Sequence, residues 1–300
     1  MDMTQNKCCR HGASLRRRRR RRRKILRSII FSCSIIAVAV FVAVESRMIT
    51  SGDGGTNKYD VEAGNNTYDN AVIENSKISE KNKIQNNQSM LDDIMNSSQY
   101  PKQLKDLALK NEEALEFVYD YPAEHVKEHT IDLTEEASMD SVPLFVQWDK
   151  RWGYEKYSGN FFAASGCGPT TLSMVVVYLT HNREASPIAV AKYSKEAGYS
   201  VDGSGSSWTL ISEGCRHYGV KAKTVALDES RMKAELDEGH PIVVNVGPGD
   251  FTDTGHFMVI TGYDDEGFSI NDPNSIEKSG KRWLFRNISS QIRAVWSMYV

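Results

Sequence analysis

Residues 142–300 of the 300-residue chain predict an α+β domain with an antiparallel sheet. Helical patterns come first along this range. Three strand-like runs follow them, rich in β-branched and aromatic residues and separated by turn-forming residues such as "DDEG": "PIVVNV", "HFMVITGY" and "FSIND". Because helices and strands fall in separate runs instead of alternating, an antiparallel sheet is favoured over a doubly wound parallel one.

Three helices are predicted ahead of the strands. The first starts near Pro169, since proline suits the first turn of a helix, and its apolar face recurs at helical spacing: Leu172, Val175, Val176 and Leu179. The second runs from capping serines to Gly219, with an apolar stripe formed by Leu210, Ile211, Cys215 and Tyr218. The third, shorter helix lies in "DESRMKAELDEG" and ends at Gly239.

The N-terminal part of the chain combines a basic run with an apolar segment. The formal net charge is only −2, yet Arg16 to Arg23 are unbroken. Such a run is often a nucleic-acid or nuclear-targeting patch. Here the uncharged stretch "SIIFSCSIIAVAVFVAV" follows it, and with the preceding Ile25 and Leu26 this stretch reaches the roughly 20 residues that span a bilayer. We therefore predict a basic tail over 1–24, a transmembrane signal anchor over 25–44, and no nucleic-acid partner.

The basic flank also predicts the orientation of this anchor. Positive charge stays on the cytoplasmic side, so the chain after Val44 is expected outside the cell, in a protein that crosses the cell membrane once. A cleaved signal peptide and a buried soluble helix are the alternatives. The segment is long for a signal peptide, and "AVESR" at its end lacks a small-x-small cleavage site. A buried helix would need a large core that the following residues do not offer.

Two further regions separate the predicted anchor from the α+β domain. Residues 45–98 are rich in Asn, Ser, Gly, Lys and Glu, with too few large apolar residues to offset the entropy of ordering, so they predict a disordered stalk. Residues 99–141 predict a helical lead-in region that packs on the following domain. Its apolar residues recur at helical spacing between Pro101 and Pro122: Leu104, Leu107, Ala108, Leu115 and Val118.

Cys167 stands between two glycines and directly before Pro169 in "SGCGPTT". A buried thiol at a tight turn is the simpler interpretation. At the start of a helix, however, the backbone N–H groups and the positive end of the helix dipole favour thiolate over thiol. Gly166 and Gly168 would then let a substrate backbone approach closely. The pattern therefore makes Cys167 a candidate nucleophile.

His256 and Asp272 are the candidate partners of this cysteine. His256 follows a glycine at the start of an apolar strand, whereas the other six histidines lie in the tail, among charges, or in helices and turns. Asp272 ends the next strand, in a composition that is also common in turns. Counting hairpin register places His256 opposite residue 274 or 275. A contact between His256 and Asp272 thus requires a bulge or a diagonal arrangement.

Amide hydrolysis by a thiol needs a nucleophile, an imidazole that protonates the leaving amine, and a polar group that fixes the imidazole tautomer. Cys167, His256 and Asp272 supply these residue types in that chain order. An oxyanion donor is also needed. Gln147 in "VPLFVQWDKRWG" is the candidate, together with the backbone N–H of Cys167.

Four stretches in this order resemble the C39-like cysteine peptidases, a papain-like group found on bacterial surfaces: "VPLFVQWDKRWG", "SGCGPTTLSMV", "TGHFMVITGY" and "INDPNS". The resemblance implies a papain-like fold, in which an N-terminal helix carries Cys167 and an antiparallel sheet carries His256 and Asp272. It implies that Cys167 is the nucleophile, His256 the general acid and base, Asp272 the orienting carboxylate and Gln147 the oxyanion residue. Unlike in the transporter-linked branch, which cleaves leader peptides after double glycine, the glutamine lies well ahead of the cysteine.

Three interpretations of the domain remain at this point. The first is an extracellular, membrane-tethered cysteine hydrolase that cleaves peptide or amide bonds. The second is a catalytically inactive papain-like surface protein that binds or acts as a scaffold. The third is a structural disulfide between Cys167 and Cys215, which an oxidising exterior permits, although Cys215 on an apolar stripe would also pack as a small hydrophobe.

For the hydrolase interpretation, the expected partner is a peptide substrate. Peptidoglycan peptides suit a location near a bacterial wall, and secreted proteins or signalling peptides fit equally well. No cofactor and no metal are expected, because no cysteine or histidine cluster has ligand spacing. The glycines of "VDGSGSS" also lack the lysine and following helix of a phosphate-binding loop.

Overall fold

The computed structural model describes residues 66–300, with side chains from residue 81. The predicted tail and anchor, 1–24 and 25–44, lie outside the described residues, as does the first part of the predicted stalk. Five helices precede the α+β domain in the described part of the chain: α1 (Asn66–Asn96), α2 (Lys102–Lys110), α3 (Leu115–Tyr119), α4 (Tyr121–Glu124) and α5 (Thr134–Ser138). A 3₁₀ turn, Glu112–Ala114, joins α2 to α3.

The following domain contains both helices and strands. Its helices are α6 (Phe162–Ser165), α7 (Cys167–Thr180), α8 (Pro187–Glu196), α9 (Thr209–Ser212), α10 (Glu229–Asp237), α11 (Ile276–Ser279) and α12 (Phe285–Ile288). Two further 3₁₀ turns are Gly214–Tyr218 and Ser289–Gln291. Two small ribbons are formed by β1 (Lys156–Tyr157) with β2 (Asn160–Phe161), and by β3 (Ser200–Val201) with β4 (Gly205–Ser206).

The main sheet has six strands in the order β5-β10-β6-β7-β8-β9. Every neighbouring pair is antiparallel, which confirms the antiparallel sheet predicted from the sequence. The strands are β5 (Lys221–Thr224), β6 (Ile242–Val246), β7 (His256–Asp264), β8 (Gly267–Asn271), β9 (Arg282–Trp283) and β10 (Ile292–Tyr299).

Both faces of this sheet are covered by apolar residues. Because successive side chains of a strand point to opposite faces, Phe257 and Val259 contribute to the core that contains α7, while Met258 and Ile260 contribute to a second core with Met232 of α10. Helix α7 lies in the first core, and its residues Gly168–Val177 are all buried. These residues are buried on all sides because the sheet, α8 and α9 pack around the helix.

The three predicted helices are present, with one difference in extent. Cys167–Thr180 contains Pro169 in its first turn, and Glu229–Asp237 begins after Asp228, whose side chain accepts from the Arg231 N–H at 2.9 Å. The helix predicted to end at Gly219 is instead split into α9 and the turn Gly214–Tyr218. Gly219 still ends this segment in the left-handed conformation, with φ of 74°.

The lead-in region packs on the domain as the sequence predicts. Leu104, Leu107, Ala108, Leu115 and Val118 are buried. They form one cluster with Phe161 and Ala163, which lie directly ahead of Cys167. Apolar burial therefore connects α2 and α3 to the segment that carries the candidate nucleophile.

The structure differs from the predicted stalk over residues 66–96, which form helix α1. The composition gave no apolar face, and most described side chains of this helix are exposed. Ile94, however, is fully buried, and Met90 and Leu91 pack on the lead-in cluster. A hydrogen bond of 2.8 Å from Gln88 to Asp92 links successive turns. Tertiary contacts at the last two turns thus support a helix that composition alone did not predict.

Among the helices within residues 66–300, none has the length and apolar character needed to cross a bilayer.

Candidate active site

Cys167 is the first residue of α7 and is partly exposed. The short helix α6 ends just before it, and Gly166 joins the two helices with φ of −86° and ψ of 9°. The first N–H groups of a helix have no intrahelical acceptor, so they face the region of the sulfur with the positive end of the helix dipole. Cys167 therefore lies at a helix start in the structure.

The glycines beside Cys167 have a different role from the one predicted. A Cβ on Gly166 would lie 2.6 Å from the ring of Phe162, and a Cβ on Gly168 would lie 2.5 Å from the hydroxyl of Ser206. Both positions therefore face neighbouring side chains of the same protein. Close internal contact, and not the approach of a substrate backbone, requires glycine at these two positions.

His256 is the first residue of β7 and is only 6% exposed. It pairs with Val246 at the end of β6, and the Asn245 side chain donates to its carbonyl at 3.2 Å. One residue later, the Phe257 carbonyl accepts from the Thr171 hydroxyl of α7 at 3.1 Å. The start of β7 is thereby tied to the first turns of the helix that carries Cys167.

Asp272 directly follows β8 and is fully buried. Its Oδ1 lies 2.7 Å from Nε2 of His256 and accepts from the Asn274 N–H at 2.8 Å. Its own N–H donates to the Ser279 hydroxyl at 2.9 Å. The other carboxylate oxygen, Oδ2, is buried without a hydrogen-bond partner.

The hairpin register explains how Asp272 reaches His256. The β7–β8 pairing shifts between Ile260 and Gly262, which is a bulge in β7. Continuing the register from the Val259–Asn271 pair places His256 opposite Asn274. Asp272 is two residues from that position, so its contact with His256 is diagonal. The structure thus contains both the bulge and the diagonal contact, which the sequence had left as alternatives.

The imidazole of His256 lies between Asp272 and Cys167. Because Nε2 contacts Asp272, Nδ1 is the nitrogen left to interact with Cys167, which lines the same cavity. Burial alone lowers the pKa of His256, but the charge and hydrogen bond of Asp272, followed by the contact with Cys167, raise it well above its ordinary value. The ring is therefore held in its protonated form at neutral pH.

The same contacts shift the pKa of the Cys167 thiol in the opposite direction. Burial by itself raises the pKa of the Cys167 thiol, yet the hydrogen bond and charge of His256 and the backbone of Phe257 and Gly168 bring it below the ordinary value. A lowered thiol pKa beside a raised imidazole pKa describes a thiolate–imidazolium pair. This is the charge state that a cysteine nucleophile requires.

Gln147 lines the same cavity as Cys167 and His256. Its N–H donates to the Pro273 carbonyl at 2.7 Å, and its side-chain Nε2 donates to the Ala163 carbonyl at 2.7 Å. The amide oxygen is buried without a partner. Since an amide nitrogen has two hydrogens, one remains for an oxygen bound in the cavity.

This cavity has a volume of about 500 Å³ and two walls that sequence reasoning did not predict. The loop between β6 and β7, residues 249–255, forms one wall. Helix α2 and the residue after it form the other, through Gln103, Asp106, Leu107, Lys110 and Asn111. These five residues recur at helical spacing in the sequence, but the sequence does not show which surface they face.

Cys215 is fully buried and does not form a disulfide with Cys167, since both are free thiols. The disulfide interpretation is therefore wrong. Burial raises the pKa of Cys215 to about 11, and the residue packs in the core with α7. It behaves as the small hydrophobe that its place on an apolar stripe predicted.

The other described histidines have structural contacts away from Cys167. These contacts are His125 with Tyr121, His129 with Glu124, His181 with Ala137, His217 with Tyr193 and His240 with Glu235.

Within residues 66–300, no group of three or more His, Cys, Asp or Glu side chains is placed to hold a metal ion.

Cys167 at the start of α7, His256 at the start of β7 and Asp272 just after β8 combine residue types that a thiol-dependent hydrolysis uses. The chain belongs to the Peptidase_C39 like family, whose model matches residues 139–300. The match begins three residues before the predicted boundary at 142.

Two solved structures resemble the chain at low identity. One is the peptidase domain of Streptococcus ComA, a bifunctional ABC transporter involved in a quorum-sensing pathway, with 20% identity and a TM-score of 0.37 over 45% of this chain and 90% of that one. The other is a putative C39-like peptidase from Bacillus anthracis, with 17% identity and a TM-score of 0.33 over 53% of this chain and 95% of that one. No curated protein matches the chain.

Proposed function

We propose that this protein is a cysteine peptidase that hydrolyses peptide or amide bonds through Cys167, His256, Asp272 and Gln147. One observation carries the proposal: Cys167, at the start of α7, and His256 line the same cavity, and His256 lies 2.7 Å from buried Asp272. Membership of a C39-like peptidase family supports the same activity.

In the first half of the reaction, the Cys167 thiolate attacks the carbonyl carbon of the scissile bond. The carbonyl π electrons move to oxygen and give a tetrahedral oxyanion. His256 then delivers its Nδ1 proton to the leaving nitrogen, the C–N bond breaks, and a thioester joins the acyl group to Cys167. Asp272 keeps the ring oriented and stabilises its positive charge.

In the second half, neutral His256 removes a proton from a water molecule as that oxygen attacks the thioester carbonyl. The C–S bond then breaks, the carboxylic product leaves, and the thiolate–imidazolium pair is restored. Protons balance over the cycle, since the one given to the amine is recovered from water.

The oxyanion of both tetrahedral intermediates needs donors near Cys167. Gln147 is suited to this role because its backbone and its Nε2 are both anchored, to Pro273 and Ala163. A donor that is already fixed costs no reorganisation when charge develops on the oxygen. The backbone N–H of Cys167, in the first turn of α7, is the proposed second donor.

We further propose that residues 25–44 tether the protein in the cell membrane and that the peptidase domain lies outside the cell. The support is the apolar sequence of this segment and the basic run on its N-terminal side. In that location the substrate class is a peptide, with peptidoglycan peptides as one source and secreted peptides as another.

The test is cleavage of a peptide panel that includes cross-linked wall peptides. The full-length protein is incubated with the panel, and new peptide termini are identified by mass spectrometry. We expect products that disappear in Cys167→Ala. In parallel, a peptide chloromethyl ketone should alkylate Cys167 in the unmodified protein. Absence of both cleavage and capture would favour the inactive scaffold over the peptidase.

A further inference from the structure

The segment of residues 272–279, which we call the Asp272 segment, carries the carboxylate of the site and helix α11. Inside the segment, Asp272 is held by the Asn274 N–H and the Ser279 hydroxyl. Contacts from elsewhere must fix the segment as a whole, because a displacement of about 1 Å at a catalytic group can cost roughly 10²-fold in rate.

Glu113, in the turn after α2, supplies several of these contacts. Its Oε2 accepts from the N–H groups of Ile276 at 2.7 Å and Glu277 at 3.1 Å, and its Oε1 accepts from the Ser275 hydroxyl. The Ser275 hydroxyl in turn accepts from the Lys278 N–H at 3.0 Å. The carboxylate of Glu113 thereby joins the start of α11 to the lead-in region.

Asn111 adds a second connection at Asn274. Its side-chain nitrogen donates to the Asn274 carbonyl at 2.9 Å and lies 3.1 Å from the Asn274 side-chain oxygen. Its own Oδ1 accepts from the Glu113 N–H at 3.0 Å, so the two lead-in residues brace each other. Asn274 is the residue whose N–H donates to Asp272.

These contacts form a continuous path from the lead-in region to the imidazole. Glu113 and Asn111 hold the Asp272 segment, the segment holds Asp272, and Asp272 holds His256. Both lead-in residues lie before residue 139, where the family match begins. Helix α2 also forms a wall of the cavity in front of Cys167.

We infer that Glu113 and Asn111 are positioning residues of the peptidase, so that the lead-in region completes the active site from outside the family domain. The inference rests on the proposed function, because it concerns the same Cys167–His256–Asp272 set. Loss of Glu113 should displace Asp272 and weaken its support of the His256 charge. The Cys167 thiolate should then be populated less at acidic pH.

The test measures alkylation of Cys167 by iodoacetamide in the full-length protein at pH 6 and pH 9. Mass spectrometry of the proteolytic peptide distinguishes Cys167 from Cys215 and the N-terminal cysteines. In Glu113→Ala we expect the pH 6 rate to fall about 2- to 3-fold, as for a loss of half to one pKa unit after the change in thiolate nucleophilicity offsets about half of the lost ionisation. The pH 9 rate should stay within about twofold, because a thiol is largely ionised there in either protein.

Two variants control for a merely structural effect. Glu113→Gln keeps the size and an acceptor oxygen, so it should retain most of the pH 6 rate. Glu112→Gln changes the adjacent carboxylate, which contacts Asn87 at 2.8 Å on the side of α1, and should match the unmodified protein. Thermal unfolding of each variant reports folding separately.

The outcomes separate this inference from the proposed function. A reactive Cys167 at pH 6 that is unaffected by Glu113→Ala overturns the positioning role and leaves the peptidase proposal intact. An equal fall in Glu112→Gln also overturns it, because the effect would not be specific to Glu113. If Cys167 of the unmodified protein behaves as an ordinary thiol at pH 6, the proposed function itself fails.

Discussion

Removing the imidazole of His256 should remove the reactivity of Cys167 in acid while leaving it in base. His256 contributes both the hydrogen bond and the charge that lower the pKa of the Cys167 thiol. Burial acts against them, since it disfavours the thiolate. In His256→Ala only burial and the backbone contacts at Phe257 and Gly168 remain. The thiol pKa should therefore return to its ordinary range or above it.

The magnitude follows from the thiolate fraction. A thiol with the ordinary pKa of about 8.5 is only about 0.3% ionised at pH 6, so each unit by which His256 lowers the pKa of Cys167 raises its thiolate fraction there about tenfold. A thiolate of lower pKa is also a weaker nucleophile, with a Brønsted coefficient of about 0.4–0.5, which cancels roughly half of this gain on a logarithmic scale. We expect the alkylation rate at pH 6 to fall about 3-fold for each unit of pKa lowering that His256→Ala removes, with an upper limit of about 20-fold for a thiol that is fully ionised at pH 6.

The pH profile gives the sign of the effect. The raised His256 pKa keeps the imidazole protonated as pH rises through neutrality, and the lowered Cys167 pKa retains more thiolate than an ordinary thiol would as pH falls. The alkylation rate of the unmodified protein should thus fall less steeply from pH 9 to pH 6 than the rate of His256→Ala. The two rates should be most similar at pH 9.

The assay is the rate of iodoacetamide labelling, followed at the Cys167 peptide. Cys215 is the internal control, because burial raises its pKa to about 11 and it should label slowly until the chain is unfolded. Asp272→Asn keeps the shape but removes the charge beside Nε2, so it should give a smaller fall than His256→Ala. Equal pH 6 rates in His256→Ala and the unmodified protein would refute the thiolate–imidazolium pair.

Three further predictions concern the oxyanion donor, the glycine beside the nucleophile and the membrane topology. Gln147→Ala should lower kcat on a cleaved peptide by roughly 10²-fold with little change in KM, since an oxyanion donor acts mainly on the transition state; unchanged kcat in a folded variant would assign the role elsewhere. Gly166→Ala should cost about 1–3 kcal/mol of unfolding free energy in a denaturant titration, because its Cβ would meet the buried Phe162 ring at 2.6 Å. Gly262→Ala, with open space at its Cβ, should be nearly neutral, and equal losses would contradict the steric argument. Protease added to intact cells should remove the chain after Val44 and spare the arginine run, whereas a protected C-terminal domain would reverse the proposed topology.

Much of the domain was determined by the sequence itself. Helix α7 was predictable because its apolar residues repeat at helical spacing after a proline suited to a first turn. Strands β6, β7 and β8 were predictable from short β-branched runs between turns, whereas β5, β9 and β10 of the same sheet were not predicted. Residue type, order and resemblance selected the candidate site residues, because a thiol-dependent hydrolysis needs those chemical groups: Cys167, His256, Asp272 and Gln147.

Other features depended on contacts that local patterns do not encode. The diagonal contact of Asp272 with His256 accompanies a bulge between Ile260 and Gly262. A glycine inside a strand pattern suggests a bulge, but it does not determine which distant residues the bulge brings together. Gly166 and Gly168 have space only for a hydrogen because of Phe162 and Ser206. A local sequence pattern does not state which side chain will lie opposite a glycine in the folded chain.

The lead-in region shows most clearly the difference between what the sequence predicts and what tertiary contacts decide. Its helices were visible from apolar spacing, but Asn111 contacts Asn274 across 163 residues of sequence. The composition of the segment that forms helix α1 likewise predicted disorder, and burial of Ile94 stabilises this helix only in the folded protein. Sequence periodicity determined which segments are helices and strands, because it reflects contacts between residues a few positions apart. Only the tertiary structure decided which distant surfaces meet, because those contacts depend on how all the elements pack together.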